Sequence, residues 1–277
     1  MKKLRYLLYR FKQRLTSLFY ENGSDQKQFG WFGDYSSWSD AKNECSGYEA
    51  ANILNAVKSS VIKVRNGEAV YERDSVLFDE VTYSPHLIEV LESSINDGKL
   101  HIVDFGGSLG SSYFQHRNLF QGLIDFRWAV IEQAHFVECG KNEIAIDELK
   151  FYHTIEEALE NQNAQVLFLS SVIQYFEEPY KLIESLLPYN FEFIIFDRTS
   201  FVDDARERIT KQIVPDFIYK ASYPAWFLNE EKFVSAFSKH YELVSDFPSS
   251  FDSDGIQEDG KRVYRKGFYF KRKVEDA

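Results

Sequence analysis

Short apolar segments alternate with helical segments beyond residue 99, and this pattern most constrains the fold. The first five apolar segments are LHIVDF, RWAVIE, LKFYH, AQVLFLS and FEFIIFD, and helical segments separate them near residues 112–121, 133–140, 155–161 and 178–187. Such alternation is typical of a parallel sheet that helices cover on both faces. After a helix near 229–238 come YELVSDF and VYRKGFYFKR, which only a loop at 252–260 separates. We therefore predict an α/β fold with a doubly wound, Rossmann-like sheet of seven strands, mostly parallel, with a C-terminal antiparallel hairpin.

The residues before this alternation have a mainly helical pattern. Residues 21–36 contain several glycines and no hydrophobic period, which predicts a loop. A helix is expected from Ser37, which can cap it, to about Lys58. A second helix is expected over 84–97, because this segment begins with a capping Ser-Pro pair and a glycine follows it. The pattern predicts a helical N-terminal extension.

The first twenty residues have the pattern of a basic amphipathic helix. They contain six basic residues and no acidic residue. Their apolar residues fall on one helical face, at Leu4, Leu7, Leu8, Phe11, Leu15, Leu18 and Phe19. Such a helix can lie on an anionic membrane surface, or it can dock on its own domain or on a second subunit. The chain thus divides into this helix at 1–20, the extension at 21–99 and a domain at 100–277.

Composition excludes several classes of protein. The net charge of −11 over 277 residues argues against nucleic-acid binding over the bulk of the chain. The two cysteines, Cys45 and Cys139, form neither a disulfide framework nor a zinc motif, and the six histidines have no metal-ligand spacing. No apolar run is long enough to span a membrane or to form a secretory signal. We predict a cytoplasmic protein, with peripheral contact to the inner face of the membrane through residues 1–20 as one alternative.

The loop after the first strand carries most of the functional information. Glycines between Asp104 and Ser112 let the backbone turn sharply and approach a ligand where a helix begins. A class I methyltransferase that uses S-adenosylmethionine has an acid-x-Gly-x-Gly-x-Gly loop; here Asp104, Gly106 and Gly110 match, and Ser108 replaces the middle glycine. Such an enzyme also needs a second acid at the end of the next strand, and Glu132 lies there.

Three other interpretations of this loop compete with the first. A dinucleotide-binding loop would need glycines at positions 108 and 111, and both are serine. Residues 106–110 also have the G-x-S-x-G pattern of a hydrolase, in which Asp197 and His240 would complete a triad with Ser108. However, the strand–helix units that precede such a loop are missing before residue 100. A glycine turn that binds nothing is the remaining interpretation.

Several motifs together resemble one methyltransferase family. They are Trp31-Phe32-Gly33-Asp34-Tyr35, Trp38, Gly47-Tyr48, Asp104 through Tyr113, Ile131-Glu132-Gln133, Ser170 through Tyr175, Asp197-Arg198-Thr199 and Tyr223-Pro224-Ala225-Trp226. From about Gly30 to Lys271, the chain resembles an uncharacterised family within the class I methyltransferase superfamily, common in bacterial surface-polysaccharide gene clusters. The resemblance implies S-adenosylmethionine as the cofactor and a sugar or lipid-linked glycan as the acceptor.

The cofactor-binding candidates lie in loops that follow the predicted strands. Ligands of doubly wound sheets bind at the carboxyl ends of the strands. Glu132 would accept the ribose hydroxyls, Asp104 would fix the loop or bind the ammonium, and His153 would lie at the adenine edge. The full set is Asp104, Gly106, Gly107, Ser108, Gly110, Glu132, Gln133, His153, Ser170 and Ser171.

Acceptor-binding and catalytic candidates lie farther along the chain. A hydroxyl acceptor must lose a proton during attack, and Asp197 or His153 could take it. Arg198 could bind an acidic acceptor, or form a local ion pair with Asp197. The acceptor candidates are Gln174, Tyr175, Arg198, Tyr223 and Trp226. Aromatic residues could form a sugar-stacking wall or pack in the core; they are Trp31, Tyr35, Trp38, Tyr223 and Trp226.

The sequence therefore predicts an S-adenosylmethionine-dependent methyltransferase. The expected reaction is O-methylation of a small-molecule or glycan acceptor in surface-polysaccharide biosynthesis. A non-catalytic S-adenosylmethionine-binding or scaffold protein of the same fold is the main alternative, and a Ser108 hydrolase is another.

Overall fold

The structure is a computed structural model that describes residues 29–47, 51–250, 254–256 and 260–274. The strands are β1 (Gly30–Tyr35), β2 (Tyr71–Arg73), β3 (Val76–Phe78), β4 (Lys99–Phe105), β5 (Asp125–Ile131), β6 (Leu149–Tyr152), β7 (Val166–Ser170), β8 (Phe193–Val202), β9 (Arg208–Ile213), β10 (Ser222–Phe227), β11 (Tyr241–Pro248), β12 (Gly255–Ile256) and β13 (Arg262–Arg272). The α-helices are α1 (Trp38–Asn43), α2 (Ala51–Arg65), α3 (Pro85–Ser93), α4 (Ser111–His116), α5 (Ala134–Cys139), α6 (Ile155–Asn161), α7 (Pro179–Leu186) and α8 (Glu230–Ser235). The helix predicted for residues 1–20 lies outside the described residues. Within them, no helix has the length and apolarity needed to cross a membrane.

The main sheet confirms the predicted fold. Its strands lie in the order β6-β5-β4-β7-β8-β13-β11. Strands β4 to β8 are parallel to one another, whereas β13 runs antiparallel to β8 and to β11. The chain leaves β4 toward β5 and β6, then returns to the other side of β4 with β7 and β8. The strand order therefore reverses between β4 and β7, where doubly wound sheets bind ligands.

Alternate residues of each strand face opposite layers of the core. On β4, Ile102 belongs to one buried cluster and Val103 to the other. The cluster around Ile102 includes residues of α2, α3, α4 and α5, and the cluster around Val103 includes residues of α6, α7 and α8. Helices α2 and α3 therefore form part of a layer of the sheet, so the N-terminal extension shares the core of the domain that follows it.

The N-terminal extension differs in detail from the prediction. The helix expected over 37–58 is two helices, because α1 ends at Asn43 and α2 runs from Ala51 to Arg65. The Ser37 cap is confirmed, since its hydroxyl accepts the N–H of Asp40 at 3.1 Å. Gly47, which has a left-handed φ of 89°, donates its N–H to a carbonyl of β10, so a distant strand competes with helix continuation here.

The other helix boundaries near the site also need correction. Ser84 and Pro85 begin α3 as predicted, but this helix ends at Ser93 rather than Asp97. The helix predicted near 112–121 runs only from Ser111 to His116; its N-cap is Gly110, in a left-handed conformation, so neither Ser111 nor Ser112 is the cap residue. The two serine side chains are therefore not needed to cap the helix.

A second sheet was not predicted from the sequence. Its strands lie in the order β1-β9-β10, and all neighbours are antiparallel. The segment of β1 was predicted to be a loop because it contains two glycines, but pairing of Gly30 with Ile213 makes it a strand. Its partner lies about 180 residues away in sequence, so no local pattern indicates the pairing.

Candidate functional site

A large cavity lies at the carboxyl ends of the parallel strands. Its volume is about 1480 Å³. It is lined by residues that follow β4, β5, β6, β7 and β8, with the second sheet and the β2–β3 hairpin on its other sides. The cavity therefore brings the strand-end loops predicted from the sequence into one space. We describe its two ends separately, because their side chains carry opposite charges.

The bend after β4 requires glycine at two positions for different reasons. Gly106 has a left-handed φ of 74°, and a Cβ there would lie 2.7 Å from the Cγ2 of Val172. A Cβ on Gly107 would lie 2.5 Å from the carboxyl carbon of Asp104. Both distances are far below normal contact, so the backbone comes closer to its surroundings than a side chain would allow. The bend thus exposes main chain to the cavity.

Asp104 is held beneath this bend by a tryptophan. Its side chain is 1% exposed, and the Nε1–H of Trp128 donates to its Oδ2 at 2.8 Å. The pKa of Asp104 is raised to about 7, chiefly by burial; the bond from Trp128 lowers the pKa, and the charge of Glu132 adds to the rise. Trp128 is not among the residues predicted from the sequence. Its signal was available: Trp128 pairs with Ile102, so its side chain lies on the same sheet face as Asp104.

Glu132 follows β5 and faces the same bend. Its carboxylate is half-buried, and burial raises its pKa. The backbone N–H of Gln133 donates to Oε2 at 2.6 Å, and the N–H of Ser108 also bonds the carboxylate; both bonds lower the pKa. Because each carboxylate oxygen has two lone pairs, acceptor capacity remains for hydroxyl groups of a ligand. Glu132 therefore joins the loops after β4 and β5.

Asp197 and its neighbours form a hydrogen-bonded group where the pairing of β7 with β8 ends, in the middle of β8. Asp197 is 3% exposed, and its Oδ2 accepts the hydroxyl of Ser170 at 3.1 Å. The amide of Gln174 donates to the Oγ of Ser171 at 3.1 Å and to the carbonyl of Arg198 at 3.3 Å. These bonds fix the two strand ends relative to each other.

Non-glycine residues at this edge adopt a strained backbone conformation. Ser108, Ser171 and Arg198 have φ values of 55°, 56° and 56°, in the left-handed region. Each such residue costs on the order of 1–2 kcal/mol. Strain of this kind persists where surrounding structure enforces it, and it is common at ligand sites. Three strand ends that converge on one cavity share this feature.

His153 lies at the rim of the cavity after β6. Its backbone N–H donates to the carboxylate of Glu157 at 3.0 Å, and its Nε2 lies 3.5 Å from a carboxylate oxygen of Glu138. The residue is exposed, although it lines the cavity. His153 follows β6 and Asp197 lies within β8, on opposite sides of β4, and His153 is much more accessible to solvent.

The second sheet closes the cavity on the side of β8. The hydroxyl of Tyr175 donates to the amide oxygen of Gln212 on β9 at 2.8 Å, and its ring meets the ring of Tyr223 edge-on at 5.1 Å. Trp226 stacks on Trp38 at 6.1 Å and donates its Nε1–H to a backbone carbonyl at 3.1 Å. Tyr223 therefore lines the cavity, whereas Trp226 packs the second sheet against its surroundings.

Two charged residues of the cavity wall were missed by the sequence analysis. Glu72 on β2 is 2% exposed; its Oε2 accepts the N–H of Ser75 at 3.2 Å, whereas its Oε1 has no hydrogen-bond partner within the described chain. Burial raises its pKa to about 7. Arg265 on β13 is 9% exposed and places its guanidinium 4.1 Å from the ring centre of Trp31. Both residues lie on strands whose sequences give no sign of a site.

The cavity therefore has two ends with different chemistry. We call Asp104, Glu132 and Glu72 with the glycine bend the acidic end. We call Arg198, Arg265 and Tyr175 the arginine end. The acidic end lies at β4 and β5, and the arginine end lies between β8, β13 and the second sheet.

Most of the predicted site residues line this cavity. They are Asp104, Gly106, Gly107, Ser108, Glu132, Gln133, His153, Ser170, Ser171, Tyr175, Asp197, Arg198 and Tyr223. Gly110, Gln174 and Trp226 do not line it: they support the helix α4, the loop after β7 and the second sheet, respectively. In the part of the chain that the structure describes, no three His, Cys, Asp or Glu side chains are grouped closely enough to hold a metal ion.

The arrangement of a hydrolase triad is not present. Tyr241 pairs with Arg272, and Lys271 pairs with Phe193, the first residue of β8. His240 therefore lies at the amino edge of the sheet, whereas Ser108 lies at the carboxyl edge. The two edges are separated by the length of a strand, roughly 20 Å. The G-x-S-x-G pattern of the glycine bend therefore matches the hydrolase motif in sequence but not in structure.

The bend and its acids fit the groups of S-adenosylmethionine. Gly106 and Gly107 line the cavity with main chain alone, and Glu132 beside them retains free lone pairs. A ribose diol needs a carboxylate acceptor, and a nucleoside needs close contact with backbone. The residues present therefore suit this cofactor.

Comparison with known proteins gives resemblances in shape alone. No protein-family model matches the chain, and no curated protein matches it. LepI in complex with SAM is 11% identical, covers 79% of this chain and 64% of its own, and has a TM-score of 0.46. The N-terminal domain of EvdMO1 with SAH bound is 9% identical, with coverage of 81% and 100% and a TM-score of 0.46. A SAM-dependent methyltransferase from Anabaena variabilis is 13% identical, with coverage of 81% and 96% and a TM-score of 0.45.

Several of these structures are much longer than this chain. The matched region spans 47% of the length of a pericyclic-reaction enzyme and 55% of LepI solved with SAH and a substrate analogue. With TM-scores below 0.5, these resemblances do not indicate what this chain binds or which reaction it catalyses. The case for a function comes from its own residues.

Proposed function

We propose that this chain is an S-adenosylmethionine-dependent methyltransferase. The observation that carries the proposal is the position of Glu132: its carboxylate ends β5 beside the glycine bend, and the amides of Ser108 and Gln133 hold it there. Because β4 and β5 are adjacent and parallel, the bend and the carboxylate can both contact one nucleoside.

The residues of the acidic end would divide the work of cofactor binding. Glu132 accepts the ribose hydroxyls, and Gln133 and His153 border the adenine. Gly106 and Gly107 allow backbone contact, with Asp104 fixing the bend through Trp128. Ser170 and Ser171 lie beside the methyl-donor centre. When bound, the cofactor supplies a methyl group activated by its sulfonium.

We further propose that the methyl group goes to a hydroxyl oxygen. Asp197 accepts the proton of that hydroxyl, because its carboxylate is buried at the cavity wall and Ser170 orients it. His153 is the alternative base, at the more exposed rim. The protein's main contribution is to hold donor and acceptor in line.

The acceptor in this proposal is a small molecule or a glycan of surface-polysaccharide biosynthesis. Support for the pathway comes only from the sequence resemblance to a family of such gene clusters. Support for a small acceptor comes from the second sheet, which bounds the cavity beside β8: Tyr175 bonds Gln212 of β9, and its ring meets that of Tyr223 of β10. Residues 1–20 would bring the enzyme to the inner face of a membrane if lipid-linked glycans are the acceptors.

Calorimetric titration with S-adenosylhomocysteine tests the proposal. Wild type is expected to bind, and Glu132→Ala is expected to bind about 10–150-fold more weakly, because a charge-assisted hydrogen bond contributes about 1.5–3 kcal/mol. Glu160→Ala is the matched control, since Glu160 is exposed on α6. Equal affinities for wild type and Glu132→Ala would contradict the assignment of the site, and absence of binding by wild type would contradict the function.

A further inference from the structure

The arginine end contains a buried guanidinium that has no counter-charge among the described residues. Arg265 is 9% exposed and lines the cavity, and its Nη2 has no hydrogen-bond partner among the described residues. The rings of Trp31 and Phe227 lie 4.1 Å and 5.9 Å from its Cζ and cover it from solvent. A buried charge is costly unless an opposite charge or hydrogen-bond acceptors compensate it. This arginine is thus prepared for an acceptor group that enters the cavity.

The acidic residues at this end already have partners. Asp74 lies 3.7 Å from Nη2 of Arg198, and Asp254 lies 2.6 Å from Nη2 of Arg262. Arg265 has no carboxylate within ion-pair distance in the described part of the chain. A protein with a net charge of −11 repels anions at long range, so a cationic surface inside its cavity serves recognition rather than general attraction.

Arg198 lies close to Arg265 on the adjacent strand. Arg265 pairs with Ser200 on β8, two residues beyond Arg198, which corresponds to about 7 Å along the strand. Both arginines lower the pKa of Tyr175, whose hydroxyl therefore lies within electrostatic reach of each. Burial is the largest influence on that pKa and raises it, so the hydroxyl stays protonated and keeps its hydrogen bond to Gln212.

We propose that Arg198 and Arg265 form an oxyanion-binding subsite, so that the acceptor of this enzyme carries a carboxylate or a phosphate group. The guanidinium of Arg265 presents its free Nη2 donor to the anion, and the guanidinium of Arg198 supplies a second positive charge beside it. Guanidinium groups suit these anions because their donors match two oxygen atoms at once. The acceptor role of the subsite depends on the proposed methyltransferase function, whereas its affinity for anions does not.

Titration with two small anions tests the subsite. Pyrophosphate represents the phosphate source and malonate the carboxylate source, and both are titrated calorimetrically at constant ionic strength adjusted with potassium chloride. Wild type is expected to give saturable heat with at least one of them, and the tighter probe identifies the favoured anion. Arg265→Gln is expected to weaken that binding by about 10-fold or more.

Two further variants keep the test decisive. Arg265→Lys retains the charge but not the planar fork, so it should bind with intermediate affinity even if the glutamine variant folds poorly. Arg272→Gln is the matched control, because Arg272 is an exposed arginine at the far end of the same strand. Its affinity for the anion should equal that of wild type.

The proposal is overturned if neither anion gives saturable heat with wild type, or if Arg265→Gln binds as tightly as wild type. In the second case Arg265 acts only by packing on Trp31. A separate titration of wild type with S-adenosylhomocysteine distinguishes the two proposals. If that ligand fails to bind while the anion binds, the methyltransferase function is wrong and the anion site remains.

Discussion

The acidic end and the arginine end of the cavity are built in different ways. At the acidic end, Asp104 and Glu132 lie at the carboxyl ends of neighbouring strands, and each accepts hydrogen bonds from the protein itself. At the arginine end, Arg198 and Arg265 come from strands joined by a long segment, and Arg265 depends on a ring from β1. The acidic end is therefore formed mainly by one strand–helix–strand unit. The arginine end forms only when segments distant in sequence come together.

This difference shows where each end obtains its specificity. The acidic end places carboxylates of raised pKa beside a rigid bend, which suits one constant ligand. The arginine end combines a cation, tyrosine hydroxyls and aromatic rings on an added sheet, which can change without disturbing the bend. The proposed cofactor site and the proposed acceptor site thus occupy the same cavity.

Disruption of the bend should give the largest effect on stability. Gly106→Ala is expected to lower the free energy of unfolding by about 2–4 kcal/mol, because its left-handed φ is unfavourable for alanine and the new Cβ clashes with Val172. Urea unfolding measures this. Gly122→Ala is the control, since a Cβ at Gly122 meets nothing within 4 Å. A loss at Gly106 no greater than at Gly122 would mean that the bend tolerates a side chain.

The pH dependence of stability should identify the buried acid at this end. The pKa of Asp104 is about 7 in the folded protein against 3.8 as reference, so the native state binds more protons than the unfolded state between these values. The free energy of unfolding should therefore fall as pH rises through this window, by up to about 1.4 kcal/mol per pH unit for one group.

Asp104→Asn removes this titration and should flatten the profile. Urea unfolding at several pH values between about 5 and 7 is the measurement. Asp147→Asn, a change of an exposed carboxylate, should leave the wild-type slope in place. Glu72 also has a raised pKa of about 7, so some slope should remain in Asp104→Asn. An unchanged slope in that variant would show that Asp104 is not the titrating group.

Loss of a single hydrogen bond at the arginine end should give the smallest change in the free energy of unfolding among these variants. Tyr175→Phe removes the donor to Gln212 and is expected to cost about 1 kcal/mol of unfolding free energy. Tyr83→Phe serves for comparison: the Tyr83 ring packs on His116, and no hydroxyl hydrogen bond is found for it in the described chain. A cost for Tyr175→Phe above that of Gly106→Ala would reverse the comparison of the two ends.

The sequence predicted the main sheet and the acidic end because both depend on local patterns. Strand–helix alternation specifies a parallel sheet, and the carboxyl ends of its strands necessarily meet at one edge. Asp104 and Glu132 could therefore be placed together before any coordinates were known. Trp128 lay within reach of the same reasoning, since strand pairing puts it on the face of Asp104.

The second sheet and the arginine end depend on contacts that no local pattern records. Strand β1 contains glycines and resembles a loop until β9 pairs with it. Arg265 lies in a strand of alternating pattern, where an arginine ordinarily faces solvent. Only the antiparallel pairing with β8 turns this residue toward the cavity. The acceptor residues of the sequence analysis were thus found in part through their motifs and not through their surroundings.

Strand β1 has a consequence for shortened forms of the protein. Its residues pair with β9 from Gly30 to Tyr35, and it supplies the indole that covers Arg265. Trimming the chain to begin at Ser36 would leave β9 as an open edge, which invites self-association. It would also expose the guanidinium of Arg265 to solvent, whereas the loops after β4 and β5 would keep their structure. We expect the trimmed protein to bind S-adenosylhomocysteine with the affinity of wild type and to bind the anion much more weakly. A truncation far upstream in sequence would thus affect one ligand site and leave the other intact.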